Sequence, residues 1–442
     1  MNGVPAASSL TISSPYTKSF EHGLRNIYGT QWLNYPHLLW YDDLVSVNAA
    51  EREDWELDEQ PRLETVQVGD WPGLGGDVQF SLGRRHTILV GRNSAGKSLL
   101  IEGLSRAARA AVGFQNHRLP FPLSFHCTTK IAGSSIRYEY LARPNETDED
   151  TEGPPEGPPS ISWTERCWSL PSGPNIWRVA ESKLFLGEKE VVPFAPGVGL
   201  LTIADSPQDP PTQVEPLRQL LRGMRTVPAG VPRSESIRRE VLVPSIRIGG
   251  VRRWRAFGIG RVNQLAFATV NMWERDRGRY EEFRQLLIDL KLVNDVAVKV
   301  YQDPAKDVET GRTDFAAILF NGVNLGLHSD GTLRIAEIFA KLLQPGLRCL
   351  LIEEPETAVH PGMLEKILAV LDSYSLDRQI IVSTHSPQVV DWGGADELRL
   401  VLRKDESTYV EPLSDKDRQH ICRHLEDDGP LSEFIYNRQR AD

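Results

Sequence analysis

Residues 91–98 read Gly-Arg-Asn-Ser-Ala-Gly-Lys-Ser and match the pattern G-x-x-x-x-G-K-[ST] at every fixed position. The two glycines allow a tight turn in which successive backbone N–H groups point at one anion. The apolar run from Thr87 to Val90 precedes the loop with strand character, and apolar residues at helical spacing follow it from Ser98 to Ala111. This order of strand, loop and helix predicts a phosphate-binding loop at the start of a helix.

The residue types within this loop predict separate roles. Lys97 supplies a mobile cation for the β- and γ-phosphates of a nucleotide, and Ser98 supplies a hydroxyl for Mg²⁺. The cofactors that the loop predicts are therefore ATP and Mg²⁺. The residues predicted to contact the nucleotide through this loop are Gly91, Arg92, Asn93, Ser94, Ala95, Gly96, Lys97, Ser98 and Leu99.

Residues 348–356, Arg-Cys-Leu-Leu-Ile-Glu-Glu-Pro-Glu, form an apolar strand that ends in acids. Ligands of open α/β sheets bind at the carboxyl ends of the strands. We therefore expect this strand to lie beside the phosphate-loop strand and to bring its acids to the γ-phosphate. Glu353 is predicted to hold Mg²⁺, directly or through water. Glu354 is predicted to orient or deprotonate the attacking water, because phosphoryl transfer depends on positioning and on charge.

A further apolar strand, residues 379–382, ends at Ser-Thr-His-Ser-Pro. An imidazole at such a strand end can bond the γ-phosphate and sense its loss. A histidine taken alone is more often a capping or core residue, but His385 follows Glu354 by 31 residues at another strand end. This placement favours a catalytic role, so the candidate catalytic residues are Glu354, His385 and Lys97.

Residues 327–332, Leu-His-Ser-Asp-Gly-Thr, lead into a predicted helix. Ser329, Gly331 and the helix start form a second anion-binding arrangement. One chain does not need two such helix ends for one nucleotide, so we expect the second to meet a nucleotide held by another subunit. The predicted buried face of this helix contains Ile335, Ile338, Phe339, Leu342 and Leu343.

Together these segments resemble the ABC-type ATPase heads of SMC-like and OLD-family proteins, and most closely the stand-alone ATPases of the OLD-like AAA_21 group, common in bacterial anti-phage systems. The segments that carry the resemblance are 91–98, 329–333, 350–361 and 383–387. The resemblance implies an α/β fold: a P-loop ABC-type head with a mixed central sheet, an antiparallel β subdomain and an inserted helical lobe. It also implies a head-to-tail sandwich dimer, or a higher oligomer, with ATP at the interface. Ser329 and Gly331 would then contact the partner's γ-phosphate, and residues 357–361 would cross the interface.

The sequence departs from the family pattern in several places. Ser-Asp-Gly-Thr replaces the transporter form Ser-Gly-Gly-Gln, which indicates a role other than membrane transport. Glu353 stands where an aspartate is usual, and no residue identifies a glutamine loop. OLD nucleases carry a Toprim nuclease after the ATPase, whereas only about 57 residues follow His385 here. We therefore expect the effector, a nuclease or a toxin, to be a separate protein.

Composition narrows the class of protein further. No uninterrupted apolar run approaches the roughly 18 residues of a transmembrane helix, so none is expected. Residues 1–10 lack the basic-then-apolar order expected of a signal peptide. The four cysteines lie far apart without a C-x-x-C pair, which favours a reducing, cytoplasmic setting and disfavours a structural zinc site. The net charge of −10 disfavours nonspecific coating of DNA but leaves room for a local basic groove.

The chain is predicted to divide into an N-terminal extension (1–62), a first ATPase half (63–205), an arginine-rich helical lobe (206–309), a second ATPase half (310–402) and a tail (403–442). The extension is aromatic-rich and either packs on the core or docks a partner. Residues 143–160 are acidic and rich in proline and glycine, which predicts a disordered surface loop. Between Arg218 and Arg261 lie eleven arginines and two acids. They indicate either a solvated lobe with paired charges or a contact for nucleic acid or an acidic partner.

The sequence thus predicts an ATP-driven dimerisation switch with slow hydrolysis, and the resemblance places it in a bacterial defence complex. A DNA-repair or chromosome-maintenance ATPase is the main alternative, although the sequence lacks a heptad run long enough for a coiled-coil arm. An energy subunit of a membrane transporter is disfavoured by the Ser-Asp-Gly-Thr motif. A catalytically inactive scaffold is disfavoured because Lys97, Glu354 and His385 are all present.

Overall fold

The computed structural model describes most of the chain from residue 60 to residue 414. The expectations for residues 1–59, for the acidic loop at 145–160 and for nearly all of the tail after 414 lie outside the described residues. The described ranges are 60–113, 122–131, 133–144, 161–171, 173–180, 183–191, 200–201, 210–230, 240–248, 251–255, 260–307 and 312–414, with Asp417 and Glu433.

Within these ranges the chain forms helices and strands, with a run of six consecutive strands from residue 123 to residue 191. The helices are α1 Lys97–Ala111, α2 Val214–Arg222, α3 Arg261–Arg275, α4 Arg277–Asp289, α5 Asp330–Leu342, α6 Pro361–Tyr374 and α7 Pro387–Trp392. The strands are β1 Leu63–Gly69, β2 Val78–Ser81, β3 His86–Val90, β4 Leu123–Ile131, β5 Ser134–Pro144, β6 Ile161–Ser169, β7 Asn175–Ala180, β8 Lys183–Leu186, β9 Lys189–Val191, β10 Met224–Val227, β11 Val243–Ile248, β12 Val251–Trp254, β13 Val296–Asp307, β14 Arg312–Phe320, β15 Val323–Asn324, β16 Cys349–Glu353, β17 Gln379–Thr384, β18 Leu398–Lys404 and β19 Ser407–Pro412.

The central sheet has the order β10-β16-β17-β3-β18-β19. Its first five strands pair in parallel, and β19 pairs antiparallel to β18. All residues of β3, β16 and β17 are buried. Such continuous apolar runs are expected of parallel strands that helices cover on both faces. The carboxyl ends of the parallel strands therefore lie along one edge, where β3 leads into the phosphate loop.

The predicted neighbours within this sheet need a correction. The acid-bearing strand β16 was expected to lie directly beside the phosphate-loop strand β3. Instead β17 lies between them, with Ser383 in register with Glu353 on one side and with Leu89 on the other. The expectation failed because strand pairing is a long-range property that local apolar runs do not encode. The acids are still brought to the edge of the sheet where the phosphate loop lies, because β3, β16 and β17 all end at that edge.

An antiparallel sheet of eight strands, in the order β2-β1-β4-β5-β6-β7-β8-β9, forms the predicted β subdomain. Strand β5 extends to Pro144, so the acidic segment begins later than the predicted residue 143. Buried side chains of this sheet and of α1 belong to one hydrophobic core, which includes Val68, Leu100 and Phe125. The helix that follows the phosphate loop is thereby packed between the two sheets.

Residues 206–309 contain the predicted helices but are not purely helical. Helices α2, α3 and α4 lie in this span. Strand β10 joins the central sheet, and β11, β12 and β13 join β14 in a third sheet of order β12-β11-β14-β13, with β15 paired to β14. The short strands β10, β11 and β12 were missed because they lack a sustained apolar alternation, whereas the longer β13 has an alternating signal at Val296, Val298 and Val300. The domain boundaries given above stay predictions.

Candidate nucleotide-binding and hydrolysis site

The phosphate loop connects β3 to α1 through a backbone that glycine makes possible. Gly96 adopts φ 101° as the N-cap of α1, and Ser94 adopts φ 68°. A Cβ atom on Gly96 would lie 2.4 Å from Thr408 Oγ1, and one on Gly91 would lie 2.3 Å from the carbonyl oxygen of Val401. The two glycines are therefore required by close packing against β18 and β19 as well as by the turn. The sequence pattern gave no signal for this second requirement.

Lys97 is almost fully buried at the first position of α1. Its Nζ atom donates hydrogen bonds to the carbonyl oxygens of Gly91 (2.7 Å) and Arg92 (3.1 Å), both in the loop itself. Burial lowers the pKa of Lys97 to about 8, against the opposing attraction of Glu354 and Glu356. The ammonium thus lies inside the loop and faces the acids at the end of β16.

Ser98 and Glu353 meet across the central sheet. Burial raises the pKa of Glu353, and hydrogen bonding by Ser98 and by the Ala229 backbone acts in the opposite direction. Val227 of β10 is in register with Ile352 of β16, which places the turn after β10 beside Glu353. The structure therefore brings together the two residues that the sequence predicts as Mg²⁺ ligands. The contribution of Ala229 was not predicted.

The oxygen atoms around Glu353 fit Mg²⁺, which prefers hard oxygen ligands. The Ser383 hydroxyl, next to Glu353 in register on β17, is buried and has no hydrogen-bond partner among the described residues. No group of three or more His, Cys, Asp or Glu side chains in the described residues is arranged to hold a metal ion. Mg²⁺ commonly uses one or two protein oxygens together with substrate phosphates and water. Ser98 and Glu353 are suited to that kind of site.

Glu354 lies beside His385. Glu354 Oε1 is 3.3 Å from His385 Nε2, and the Thr357 hydroxyl donates to Glu354 Oε2 at 3.2 Å. Glu354 has φ 46°, a left-handed backbone that costs free energy for a residue with a side chain. Its backbone N–H donates to the carbonyl oxygen of Ser383 at 2.8 Å, which helps to hold this conformation.

Glu356 has a role that the sequence did not reveal. Its Oε1 atom accepts hydrogen bonds from the Thr384 hydroxyl (2.7 Å), the His385 N–H (2.8 Å) and the Ser386 N–H (3.1 Å). The carboxylate therefore fixes the backbone that carries the His385 imidazole. The third acid in Glu-Glu-Pro-Glu was the available signal, but spacing alone did not distinguish a positioning acid from a catalytic one.

The second predicted anion site begins α5. Ser329 is exposed and caps this helix, because its hydroxyl accepts the Thr332 N–H at 3.3 Å. A Cβ atom on Gly331 would lie 2.5 Å from the Ala358 carbonyl oxygen of the same chain. Gly331 is thus required where α5 packs on the turn that follows Glu354. Contact between this helix end and a partner's nucleotide stays a prediction.

Several arginines of the span from Arg218 to Arg261 bind partners within the chain. Arg252 forms ion pairs with Glu274 (2.9 Å) and Asp314 (3.1 Å) and lies over the Trp254 ring. These contacts agree with the interpretation of a lobe with paired charges. Arg255 is exposed, and the side chain of Arg247 lies outside the described residues. Nucleic-acid binding by this span stays an untested alternative.

Two further properties of the described residues are the state of the cysteine thiols and the length of the helices. Cys127, Cys167 and Cys349 are buried free thiols, and burial raises the pKa of each of them. Among the described helices, none is long and apolar enough to cross a membrane.

Comparisons with solved structures find similarity to SMC head domains at low sequence identity. "Crystal structure of the SmcHead bound to the C-winged helix domain of ScpA" has TM-score 0.40 and 14% identity, and covers 81% of this chain and 99% of that chain. "SMC head domain from Thermotoga maritima" has TM-score 0.38 and 14% identity, with coverages of 80% and 99%. An SMC head domain bound to the C-terminal domain of ScpA, from Pyrococcus furiosus, has TM-score 0.38 and 12% identity, with coverages of 83% and 100%.

The comparison with protein families gives a match over part of the chain. Residues 256–391 match the AAA_21 model, described as "AAA domain, putative AbiEii toxin, Type IV TA system". No curated protein matches the chain. The matched residues include Ser329, Glu353, Glu354 and His385, whereas the phosphate loop precedes them. Residues 256–391 are thus similar to the AAA_21 family, and they include the acids and the histidine of the candidate site.

Proposed function

We propose that this chain binds ATP with Mg²⁺ and hydrolyses it as an ABC-type switch ATPase. The observation that carries the proposal is that β3, β16 and β17 end at one edge of the central sheet, where His385 Nε2 lies 3.3 Å from Glu354 Oε1. The phosphate loop follows β3, the acids end β16, and the histidine follows β17. A phosphate loop alone binds nucleotide, whereas hydrolysis also requires a metal-binding acid and a group that activates water at the same edge.

In the proposed mechanism the chain's own residues position the phosphates and the water. Backbone N–H groups of the loop and the start of α1 bind the phosphate oxygens, and Lys97 neutralises their charge. Ser98 and Glu353 would hold Mg²⁺, which would supply positive charge against the negative charge that develops on the phosphate oxygens. Glu354 accepts the proton of the attacking water, while His385, 3.3 Å away, donates to the γ-phosphate or to Glu354.

The proposal includes composite sites between two copies of the chain. The N-terminus of α5, capped by the exposed Ser329, is a second place that attracts an anion. A symmetric dimer would bring this helix end to the nucleotide of the partner and would create two equal sites. ATP binding would close the dimer and hydrolysis would open it, which makes the ATPase a switch.

The proposed biological setting is a bacterial defence complex in which this ATPase controls a separate effector protein. The description of the matched family, which names a putative AbiEii toxin and a type IV toxin–antitoxin system, supports this setting. A DNA-repair or chromosome-maintenance ATPase remains the alternative. It is favoured less, because Arg252 in the arginine-rich span pairs with two carboxylates of its own chain.

Replacing Ser98 with alanine is the experiment that tests the proposed function. The change removes the hydroxyl proposed to hold Mg²⁺ together with Glu353, and we expect the Mg²⁺-dependent rate of ATP hydrolysis to fall by about 10- to 100-fold. Ser98→Thr is the matched control, since it keeps the hydroxyl and the motif. The measurement is phosphate release at varied Mg²⁺ concentration. Equal rates for the alanine and threonine variants would contradict the assignment, as would an inactive wild-type protein.

The pKa of Lys97 predicts a proton linkage. At pH 8 a lysine with a pKa of about 8 is half neutral, and a phosphate beside it favours the charged form. ATP binding at pH 8 should therefore take up about half a proton at this residue, and uptake should fall below pH 7, where the ammonium is already charged. Calorimetry in buffers of different ionisation enthalpy measures the uptake. Unchanged uptake in Lys97→Arg would show that another group is responsible.

A further inference from the structure

The turn at residues 228–230, which follows β10, is bound from two sides by arginines. Arg261 donates to the carbonyl oxygens of Pro228 (2.9 Å), Ala229 (3.0 Å) and Gly230 (3.3 Å). Arg334 donates to the carbonyl oxygen of Pro228 as well, at 2.6 Å. The carbonyl oxygens of all three residues of this turn therefore point toward the arginines.

The orientation of these carbonyls has a consequence for Glu353. The turn lies beside Glu353, because Val227 of β10 is in register with Ile352 of β16. Hydrogen bonding by the Ala229 backbone also opposes the effect of burial on the pKa of Glu353. A peptide unit is planar, and its N–H and C=O groups point in opposite directions, so binding the Pro228 carbonyl fixes the N–H of Ala229. Arg261 and Arg334 both bind the Pro228 carbonyl oxygen, and thus aim this N–H at the acid.

Glu337 on α5 keeps the two arginines in place. Its carboxylate is almost fully buried and accepts two hydrogen bonds from Arg261, one of them 2.9 Å long from Nε, and lies 3.6 Å from Arg334. Arg334 is fully buried and also donates to the backbone carbonyl oxygens of Glu353 and Glu354. The planar guanidinium suits such multiple contacts, which the single ammonium of lysine cannot make together.

We infer that Arg261 is a positioning residue for the metal-binding carboxylate, acting through the turn at residues 228–230 and the Ala229 N–H. The inference rests on the proposed function, because it concerns how Glu353 and Ser98 receive Mg²⁺. It also gives one arginine of the arginine-rich span a role inside the chain. Residues that orient a metal ligand typically change metal affinity or activity by about 10- to 100-fold when they are replaced.

The chain offers a matched control for this role. Arg218 on α2 is also buried and also binds two backbone carbonyl oxygens, those of Leu200 (3.1 Å) and Leu201 (3.0 Å). It also pairs with a carboxylate, that of Glu215. Arg218→Lys therefore removes a comparable set of bonds without touching the turn at residues 228–230.

The test measures equilibrium binding of a fluorescent, non-hydrolysable ATP analogue to the full chain, in Mg²⁺ and in EDTA. Wild type should bind more tightly in Mg²⁺. In Arg261→Lys we expect this gain to shrink about tenfold, while affinity in EDTA, which depends on Lys97, stays within about twofold of wild type. Arg218→Lys should keep the full gain. Melting temperatures of both variants show whether the loss of stability is comparable.

The possible outcomes separate the inference from the function on which it rests. The inference alone is overturned if Mg²⁺ increases the affinity of Arg261→Lys for the analogue as much as it does for wild type. It is also overturned if the increase shrinks equally in Arg218→Lys. A wild-type protein without Mg²⁺-dependent binding overturns the proposed function and the inference with it. If Arg261→Lys fails to fold, Glu337→Gln replaces it, since this variant keeps the shape of the partner and removes the charge that orients Arg261. Retention of the full gain in Glu337→Gln would then contradict the positioning role.

Discussion

Replacement of Glu354 with glutamine is expected to slow ATP hydrolysis by about 10²- to 10⁴-fold and to leave ATP binding near the wild-type value. Glutamine keeps the length of the side chain and an oxygen for the Thr357 hydroxyl, which lies 3.2 Å away. It cannot accept the proton of the attacking water. Single-turnover hydrolysis and equilibrium binding of ATP, measured on the same preparation, separate the two effects.

The variant should also accumulate in an ATP-bound, dimeric form, which light scattering with and without ATP detects. Glu102→Gln is a suitable control, because Glu102 lies near Glu353 but pairs with Arg106 at the surface. Only the change at Glu354 should stop turnover. A hydrolysis rate that Glu354→Gln leaves unchanged would move the role of base to another residue, with Glu356 the nearest acid in the sequence.

The sequence predicted the pieces of the site better than their arrangement. The phosphate loop, the strand ending in Glu353 and Glu354 and the helix beginning at Ser329 are each marked by local spacing. Local spacing follows from the geometry of a single element, so it is readable without the rest of the fold. The position of β17 between β16 and β3 depends on pairing between residues nearly 300 positions apart, which no local pattern contains.

The contacts that support the site were missed for a similar reason. The role of Glu356 comes from three donors on another strand end, and the role of Arg261 comes from carbonyls of residues 228–230. A contact with a backbone atom cannot be read from the sequence, because nearly all residue types have the same backbone atoms. The sequence does not distinguish an arginine that binds carbonyls of its own chain from one that binds nucleic acid. For this reason the arginine-rich span allowed both interpretations.

Lys97→Ala is the second change with a large expected effect. Removal of one preorganised electrostatic contact typically costs about 10²–10³ in rate, and we expect a loss of this size in ATP turnover. Because the Lys97 ammonium binds carbonyl oxygens of Gly91 and Arg92, the melting temperature must be measured beside the rate. A folded Lys97→Ala protein with wild-type turnover would contradict the assignment of the phosphate loop.

The shared site is tested by combining Lys97→Ala with a second variant. This second variant must weaken phosphate binding at the N-terminus of α5 without disturbing the fold of its own chain. A side chain on Gly331 would press on the Ala358 carbonyl oxygen and disturb the turn after Glu354. Ser329→Asp avoids this problem, since aspartate caps helices about as well as serine but repels a phosphate. Ser329→Asn keeps the cap without the charge and is the matched control. Ser329→Asp alone should bind ATP and fail to hydrolyse it.

Mixing Lys97→Ala with Ser329→Asp subunits tests the shared site most directly. In a mixed dimer one composite site has both defects, and the other has an intact Lys97 facing an intact Ser329. The ATPase rate should rise from background to roughly a quarter of the wild-type rate at equal mixing, because half of randomly formed dimers are mixed and each has one intact site. A rate that stays at background at every mixing ratio, with mixed dimers shown to form, would contradict the shared site.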